Sequence, residues 1–214
     1  MPEIVEYVQK GVIIALVIYS IILHEIAHAY AAFRLGDPTA AARGRLTLNP
    51  IKHIDPFFTI IMPLLFYFST KGMFVLGSAK PVPINPFNFR NPRKGMMISG
   101  IAGPSVNLAI AILCALLVRL LVLVPWISSR FLLIFAYVGM MNMLLLVFNM
   151  LPIPPLDGSR VLSYFLPRDL QEKYDRLEQF GLFLVLIVLI VFRPQLDVLF
   201  GYARDFFLML AGIG

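Results

Sequence analysis

The chain contains long apolar runs without a single aspartate or glutamate, at residues 11–23, 96–118, 131–155 and 180–192. Charged residues are only 14% of the 214 residues and apolar residues are 59%, against about 25% and roughly 45–50% in an ordinary soluble domain. A helix needs about 20 predominantly apolar residues to cross the hydrocarbon core of a bilayer. The sequence therefore predicts an all-α polytopic membrane protein and excludes an ordinary soluble domain.

The apolar pattern predicts one membrane-embedded domain over residues 1–214. A first full span is predicted over residues 11–33. Gly36-Asp37-Pro38 follows it, and this triplet is expected to end the helix because glycine suits a helix C-terminus and proline cannot extend one.

About five or six hydrophobic segments are predicted in all, the later ones at residues 56–68, 95–124, 131–151, 180–192 and 195–214. Residues 56–68 are short and contain Pro63, which favours a re-entrant piece rather than a full span. Short extended pieces are expected near residues 73–83, where prolines restrict strands to edges. Residues 195–214 fit either a short span or an interfacial helix.

The basic residues predict an orientation, because basic loops stay on the cytoplasmic side of a membrane. Thirteen of the 18 basic residues fall in three loops that one arrangement places inside: Arg34, Arg43, Arg45, Lys52, Lys71, Lys80, Arg90, Arg93, Lys94, Arg160, Arg168, Lys173 and Arg176. We therefore expect a multi-pass protein of the cell membrane with its N-terminus outside. The net charge of +6 then indicates loops that face anionic lipid, not a nucleic-acid-binding protein.

The motif His24-Glu25-Ile26-Ala27-His28 lies inside the first predicted span. Histidines at positions i and i+4 share one helix face, so both imidazoles can reach one metal ion while the glutamate addresses a water. Zinc hydrolases combine three protein ligands with an open water position. Ionisable groups inside a span are costly and imply a compensating partner, for which a metal is the simplest choice. The motif predicts zinc ligands at His24 and His28 and a general base at Glu25.

A third ligand has to come from another part of the chain, and Asp157 is the strongest candidate. Prolines at 152, 154 and 155 cannot sit inside a regular helix, so the chain unwinds where a span ends, and irregular backbone near membrane depth has to line a polar cavity or pack in protein. An ordinary turn in which Asp157 caps the next helix fits the spacing equally well.

Three motifs together resemble the signatures of the site-2 proteases, which are zinc metalloproteases that cleave within membranes. They are His24–His28, Gly103-Pro104-Ser105-Val106-Asn107 and Asn149 with Asp157-Gly158, in the order of that family. The resemblance covers about residues 12–161, which it implies are the core of the domain. The resemblance implies one Zn²⁺ held by His24, His28 and Asp157, water activation by Glu25, and a substrate that is the transmembrane helix of another membrane protein. It also implies regulated release of a soluble fragment, in a small form without an evident extra regulatory domain.

Five further residues have alternative roles that the sequence does not separate. Asn107 and Asn149 either hydrogen-bond between helices or, as the resemblance implies, engage the substrate backbone. Gly103 and Pro104 are expected either to let another element approach and to loosen their helix, or only to shape its packing. His53 is predicted to support the local structure or to contact one of the zinc-binding side chains, and not to bind zinc itself.

The function predicted from the sequence is a zinc-dependent intramembrane endopeptidase with its site toward the cytoplasmic side. His24 lies nine residues before Phe33, or roughly 13 Å from that end by helical rise, so water has to enter through the connectors. One alternative is a catalytically inactive relative that binds membrane helices. Another is an ion or metal transporter, which would carry polar residues along several spans.

Overall fold

The computed structural model of the chain describes residues 2–61, 64, 68 and 79–213. Regular structure in these ranges is helical, which confirms the all-α prediction. The α-helices are α1 Pro2–Arg34, α2 Thr39–Ala42, α3 Pro92–Leu121, α4 Ser129–Asn149, α5 Asp157–Phe165, α6 Arg168–Asp175, α7 Gly181–Val191 and α8 Arg193–Ala211. Shorter 3₁₀ or π turns occur at Pro50–His53, Pro56–Ile61, Pro86–Asn88 and Arg176–Phe180.

Three helices are long and apolar enough to cross a membrane, namely α1 from Ile4, α3 and α4. The chain is thus a multi-pass membrane protein. The predicted number of five or six segments is not confirmed. The run at residues 180–192 forms α7, whose 11 residues reach only about 16 Å by helical rise and are too short to span alone. It meets α8 at 85°, so the stretch from α6 to α8 counts at most as one broken fourth span.

The helix boundaries follow from local chemistry. Gly36 has φ +107°, a left-handed conformation that favours glycine, and it ends α1 where the sequence predicted. Helix α3 begins three residues before the predicted start, because Asn91 accepts a hydrogen bond from the Lys94 N–H at 3.1 Å and Pro92 occupies the first turn. Helix α1 begins well before residue 11 and carries the exposed Glu6–Lys10 ion pair.

Helix α3 is the centre of the bundle and packs against α1, α4, α5 and α8. The C-terminal half of α3 forms an apolar core with α4 and α8. This core is composed of Ala111, Ala115, Val118, Met143, Ala203, Phe207 and Ala211. Phe207 is fully buried and lies against Gly139, where an added Cβ would come within 2.6 Å of its ring. Helix α8 therefore packs into the bundle along one face.

The connector after α1 is organised around one buried carboxylate, Asp37, which has no exposed surface. Its Oδ2 accepts from the Asn85 N–H at 2.7 Å, and its Oδ1 accepts from the Asn88 amide at 2.7 Å and the Thr39 N–H at 3.0 Å. Burial opposes ionisation of Asp37, but the donors of Asn88, Thr39 and Asn85 outweigh it and lower its pKa below the ordinary value. Asp37 thus ties the end of α1 to the segment that precedes α3.

Several predicted pieces lie partly outside the described residues. Of the predicted re-entrant piece at residues 56–68, the structure describes a π-helical turn at Pro56–Ile61 and residues 64 and 68. The predicted extended piece at residues 73–76 lies outside the described residues. From residue 79 to residue 85 the chain has no helical structure.

Replacing Asp37 with asparagine is expected to lower the free energy of unfolding at pH 7 by about 2 kcal/mol, because hydrogen bonds to a charged group contribute roughly 1.5–3 kcal/mol. Since the folded-state pKa lies below the ordinary 3.8, the stabilisation is present above pH 3.8 and is lost as the pH falls through the folded value. The difference between wild type and Asp37→Asn should therefore shrink at low pH. Unfolding in detergent micelles, followed by circular dichroism between pH 7 and pH 3, measures it. Asp197→Asn, at an exposed carboxylate, is the matched control, and a gap that stays constant with pH contradicts the prediction.

Candidate metal centre and active-site cavity

Three ligand atoms converge between α1 and the start of α5. The Nε2 atoms of His24 and His28 lie 2.9 Å apart, and each lies 3.2 Å from Oδ2 of Asp157. The side chains of His24 and His28 are more than nine-tenths buried, and that of Asp157 is 12% exposed. Within the described residues they form the only group of three His, Cys, Asp or Glu side chains that can hold a metal ion.

The atom spacing fits a metal of the kind that histidine and carboxylate ligands prefer. In a tetrahedral site with ligands about 2.0–2.1 Å from the ion, ligand atoms lie roughly 3.3 Å apart. The observed 2.9–3.2 Å is close to that value. The donor set of two imidazoles and one carboxylate is also typical of a catalytic site, in which a fourth position stays open.

The tautomer of His28 is fixed by a contact with α3. Its Nδ1–H donates to the Ser99 carbonyl at 2.6 Å, so Nε2 keeps its lone pair for a metal. The Ser99 hydroxyl in turn donates to the His28 carbonyl at 3.2 Å. This reciprocal pair joins α1 to α3 at the level of the ligands.

Gly103 makes room for both imidazoles. An added Cβ at this position would lie 2.7 Å from Cε1 of His24 and closer still to Nε2 of His28, which is nearer than real Cβ atoms come to other heavy atoms. The groups that approach Gly103 are therefore the two imidazole rings. Pro104 is buried beside it in the same helix.

Asp157 is aimed at the histidines by the irregular turn after α4. It is the first residue of α5, and no side chain caps that helix, so the carboxylate serves the cluster and not the helix end. The next residue, Gly158, packs against the backbone of that turn, where an added Cβ would meet the Leu151 carbonyl at 2.6 Å. Position 157 therefore requires a carboxylate that faces the histidines, and position 158 requires a residue without a Cβ.

Glu25 lies next to His24 on α1 and is partly buried. Its Oε2 accepts a hydrogen bond from the backbone N–H of Val82 at 3.1 Å. Residues 79–83 have no regular secondary structure, and the Val82 amide is engaged by Glu25.

The cluster opens into a cavity of about 540 Å³. Both predicted asparagines line it, together with the charged side chains of Arg160 and Glu178. Asn107 is almost fully buried, and its Oδ1 has no partner in the described part of the chain. The Asn149 amide donates to the Leu145 carbonyl of its own helix at 3.0 Å.

His53 lies in the connector and is not part of the ligand group. Its Nε2–H donates to the Thr47 carbonyl at 2.8 Å, and its own carbonyl accepts from the Lys80 N–H at 2.8 Å. These contacts are those of a residue that organises local structure.

Sequence reasoning missed Ser99, Asp37 and Val82. A signal for Ser99 existed, since it precedes Gly103 by one helical turn on the same face. The pairing of Val82 with Glu25 joins residues 57 positions apart and left no sequence signal.

Comparison with known proteins agrees with this geometry. A model described as Peptidase family M50 matches residues 125–192. The chain is 38% identical over 81% of its length to "Putative zinc metalloprotease YwhC" of Bacillus subtilis, of which it covers 77%. It is 34% identical over 79% of its length to the Rip2 protein of Mycobacterium tuberculosis, named in the same words, of which it spans 62%. Rip2 of Mycolicibacterium smegmatis is 33% identical over 83% of the chain, which covers 65% of that protein. No solved structure matches the chain.

Gly103→Ala is expected to weaken metal binding at least tenfold, because the new methyl group displaces both imidazoles and a misplaced ligand typically costs roughly 10–100-fold in affinity. Metal bound per purified chain, measured by mass spectrometry against a competing chelator, tests this. Gly201→Ala makes the same chemical change in α8 where nothing lies within 4 Å, and it should keep the wild-type affinity. Equal affinities in the two variants contradict the prediction.

Proposed function

The chain belongs to peptidase family M50 and is a metalloprotease, and on this premise we propose that it hydrolyses peptide bonds in or near the transmembrane helices of other membrane proteins. The observation that carries the proposal is the His24, His28 and Asp157 cluster, which lies inside a bundle of membrane-length helices and not on a soluble surface. A substrate that reaches this cluster has to arrive within the bilayer or at its edge. The whole chain, residues 1–214, acts as one membrane-embedded domain.

In this proposal one zinc ion is held by His24 Nε2, His28 Nε2 and Asp157 Oδ2. When bound, zinc supplies Lewis-acid polarisation of the peptide carbonyl and of water. The fixed tautomer of His28 keeps its ligand nitrogen deprotonated, and Gly103 keeps both rings in place. The names of the relatives, which describe zinc metalloproteases, support the choice of metal.

Glu25 is the general base and acid of the reaction. Its carboxylate takes a proton from water as the water oxygen bonds to the carbonyl carbon of the substrate. The same carboxylate then delivers the proton to the amide nitrogen as the C–N bond breaks, so no net proton is consumed. Glu25 lies between the two ligand histidines in the sequence and lines the same cavity as they do, which supports this role.

Asn107 and Asn149 are the substrate-binding residues in this proposal. A peptide bond in a helix is protected by its own backbone hydrogen bonds, and side-chain amides in the cavity can replace those bonds in an unwound segment. The unpartnered Oδ1 of Asn107 supports this, since a buried acceptor without a donor is costly. The amide of Asn149 would have to leave its contact with Leu145 to take part.

Two other functions fit the observations less well. An inactive helix-binding relative would not require the complete set of His24, Glu25, His28 and Asp157. A transporter would carry polar side chains along a path through the spans, whereas the ligand cluster and the Asn107 and Asn149 side chains line a single cavity.

Glu25→Gln is expected to lower cleavage of a single-span test substrate by roughly 10²–10⁴-fold, because it removes the proton-transferring group. Zinc per chain should remain at the wild-type value, since Glu25 is not a proposed ligand. The matched control is Glu6→Gln on the exposed part of the same helix, and it should cleave normally. Persistent cleavage in Glu25→Gln with zinc retained overturns the assignment of the base.

The proposed cytoplasmic side of the site can be tested by labelling, because the chain has a single cysteine, Cys114. In a Cys114→Ala background, a membrane-impermeant thiol reagent should label Ser129→Cys in intact cells. It should label Arg90→Cys and Lys173→Cys only after the membrane is permeabilised. All three positions are exposed. The reverse pattern contradicts the proposed orientation.

A further inference from the structure

A short segment, Pro81-Val82-Pro83, borders the active-site cavity beside Glu25 and is called the strap below. Pro81 and Val82 line the active-site cavity. Proline has no N–H, so the strap carries one backbone donor, the Val82 amide. That donor goes to Oε2 of Glu25 at 3.1 Å.

The strap has little conformational freedom of its own. Each proline fixes its own φ, and a residue that precedes a proline is restricted to extended conformations. Val82 is therefore held extended by Pro83. Because Pro81 and Pro83 have no N–H, the strap contains no second backbone donor that needs a partner. An unpaired backbone donor at membrane depth would be costly.

Contacts on both sides hold the strap against α1. The Lys80 N–H donates to the His53 carbonyl at 2.8 Å, and the Asn85 N–H donates to Asp37 at 2.7 Å. The Val82 side chain is about nine-tenths buried and packs with Ala29 and Ala40. The position of the Val82 amide is thus set by groups outside the metal cluster.

We propose that Val82 is a positioning residue for the hydrolytic reaction, and that its N–H fixes the orientation of the Glu25 carboxylate. Glutamate has three side-chain torsions, and only a narrow range of orientations lets a carboxylate exchange protons with a water at the cluster. A hydrogen bond from a rigid amide to one oxygen, Oε2, leaves Oε1 free to carry the proton. Hydrogen bonds from an N–H to a carboxylate are among the stronger ones in proteins, which suits this task.

This inference rests on the proposed function, because it assigns Val82 a part in the chemistry of Glu25. It also gives a reason for the contacts of two residues that the reaction does not otherwise use. His53 and Asp37 hold the two sides of the strap, and through it they act on the base.

The test compares Val82→Pro with Val82→Ala. Both variants remove the isopropyl group, but only proline removes the N–H, and its φ suits an extended segment. For zinc-dependent cleavage of the single-span substrate, kcat of Val82→Pro should be roughly 10–100-fold below that of Val82→Ala, the range typical when a group that orients a catalytic side chain is lost. KM and zinc per chain should agree between the two variants, because the ligands and the substrate contacts are unchanged.

Further variants separate this role from a general disturbance of the strap. Ile84→Pro places the same residue two positions away, at an amide that makes no hydrogen bond in the described part of the chain. Because the Ile84 side chain lines the cavity, this variant is compared with Ile84→Ala, and the two should have similar kcat values. The α-hydroxy acid analogue of valine at position 82 replaces the N–H with oxygen and retains the side chain, and it should reproduce the loss of kcat.

Equal kcat values in Val82→Pro and Val82→Ala, or an equal loss in Ile84→Pro relative to Ile84→Ala, overturn the role given to Val82. A change in KM or in bound zinc in place of kcat does the same. Glu25→Gln in the same series reports separately on the proposed function. If it abolishes cleavage while the Val82 variants agree, the inference fails and the proposed function stands.

Discussion

The site depends on how closely α3 approaches α1. In a bilayer the surrounding lipid is as apolar as the helices, so helix association relies on close packing and on polar contacts between helices. Gly103 supplies the space, and the reciprocal hydrogen bonds of Ser99 and His28 supply the polar contact. The same contact that joins the two helices also fixes the imidazole for a metal. Stability and ligand geometry therefore have one origin here.

A second constraint is the irregular backbone near the ligands. Two proline-containing segments reach this level, the turn before α5 and the strap of residues 81–83. Each leaves few donors unpaired, because proline has none, and each presents one group to the site: the carboxylate of Asp157 to the histidines and the amide of Val82 to Glu25. The buried Asp37 secures one of these segments from outside the bundle. Charged anchoring in the connector thus supports the chemistry at membrane depth.

The sequence predicted what depends on local spacing and missed what depends on distant contacts. The His24 and His28 pair follows from helical periodicity, and the end of α1 follows from Gly36. The number of spans does not follow from hydropathy alone, since an apolar run such as α7 turns by 85° into the next helix. For Asp157, spacing alone left a helix cap equally open, and the family resemblance predicted a metal ligand. The structure shows the carboxylate beside both histidines. No local pattern encodes the pairing of Val82 with Glu25.

The charges around the cavity also balance in the proposed state. Ligand histidines are neutral, because a metal binds the deprotonated nitrogen. Of the described charged side chains that line the cavity, Glu178 is exposed to solvent, whereas the carboxylates of Glu25 and Asp157 lie beside the histidines. A divalent cation offsets the two negative charges of these carboxylates. Uncompensated charge is costly near the membrane interior. Binding of the ion should therefore stabilise the folded site as well as support the reaction. Ligand geometry, charge compensation and close helix packing thus favour the same arrangement.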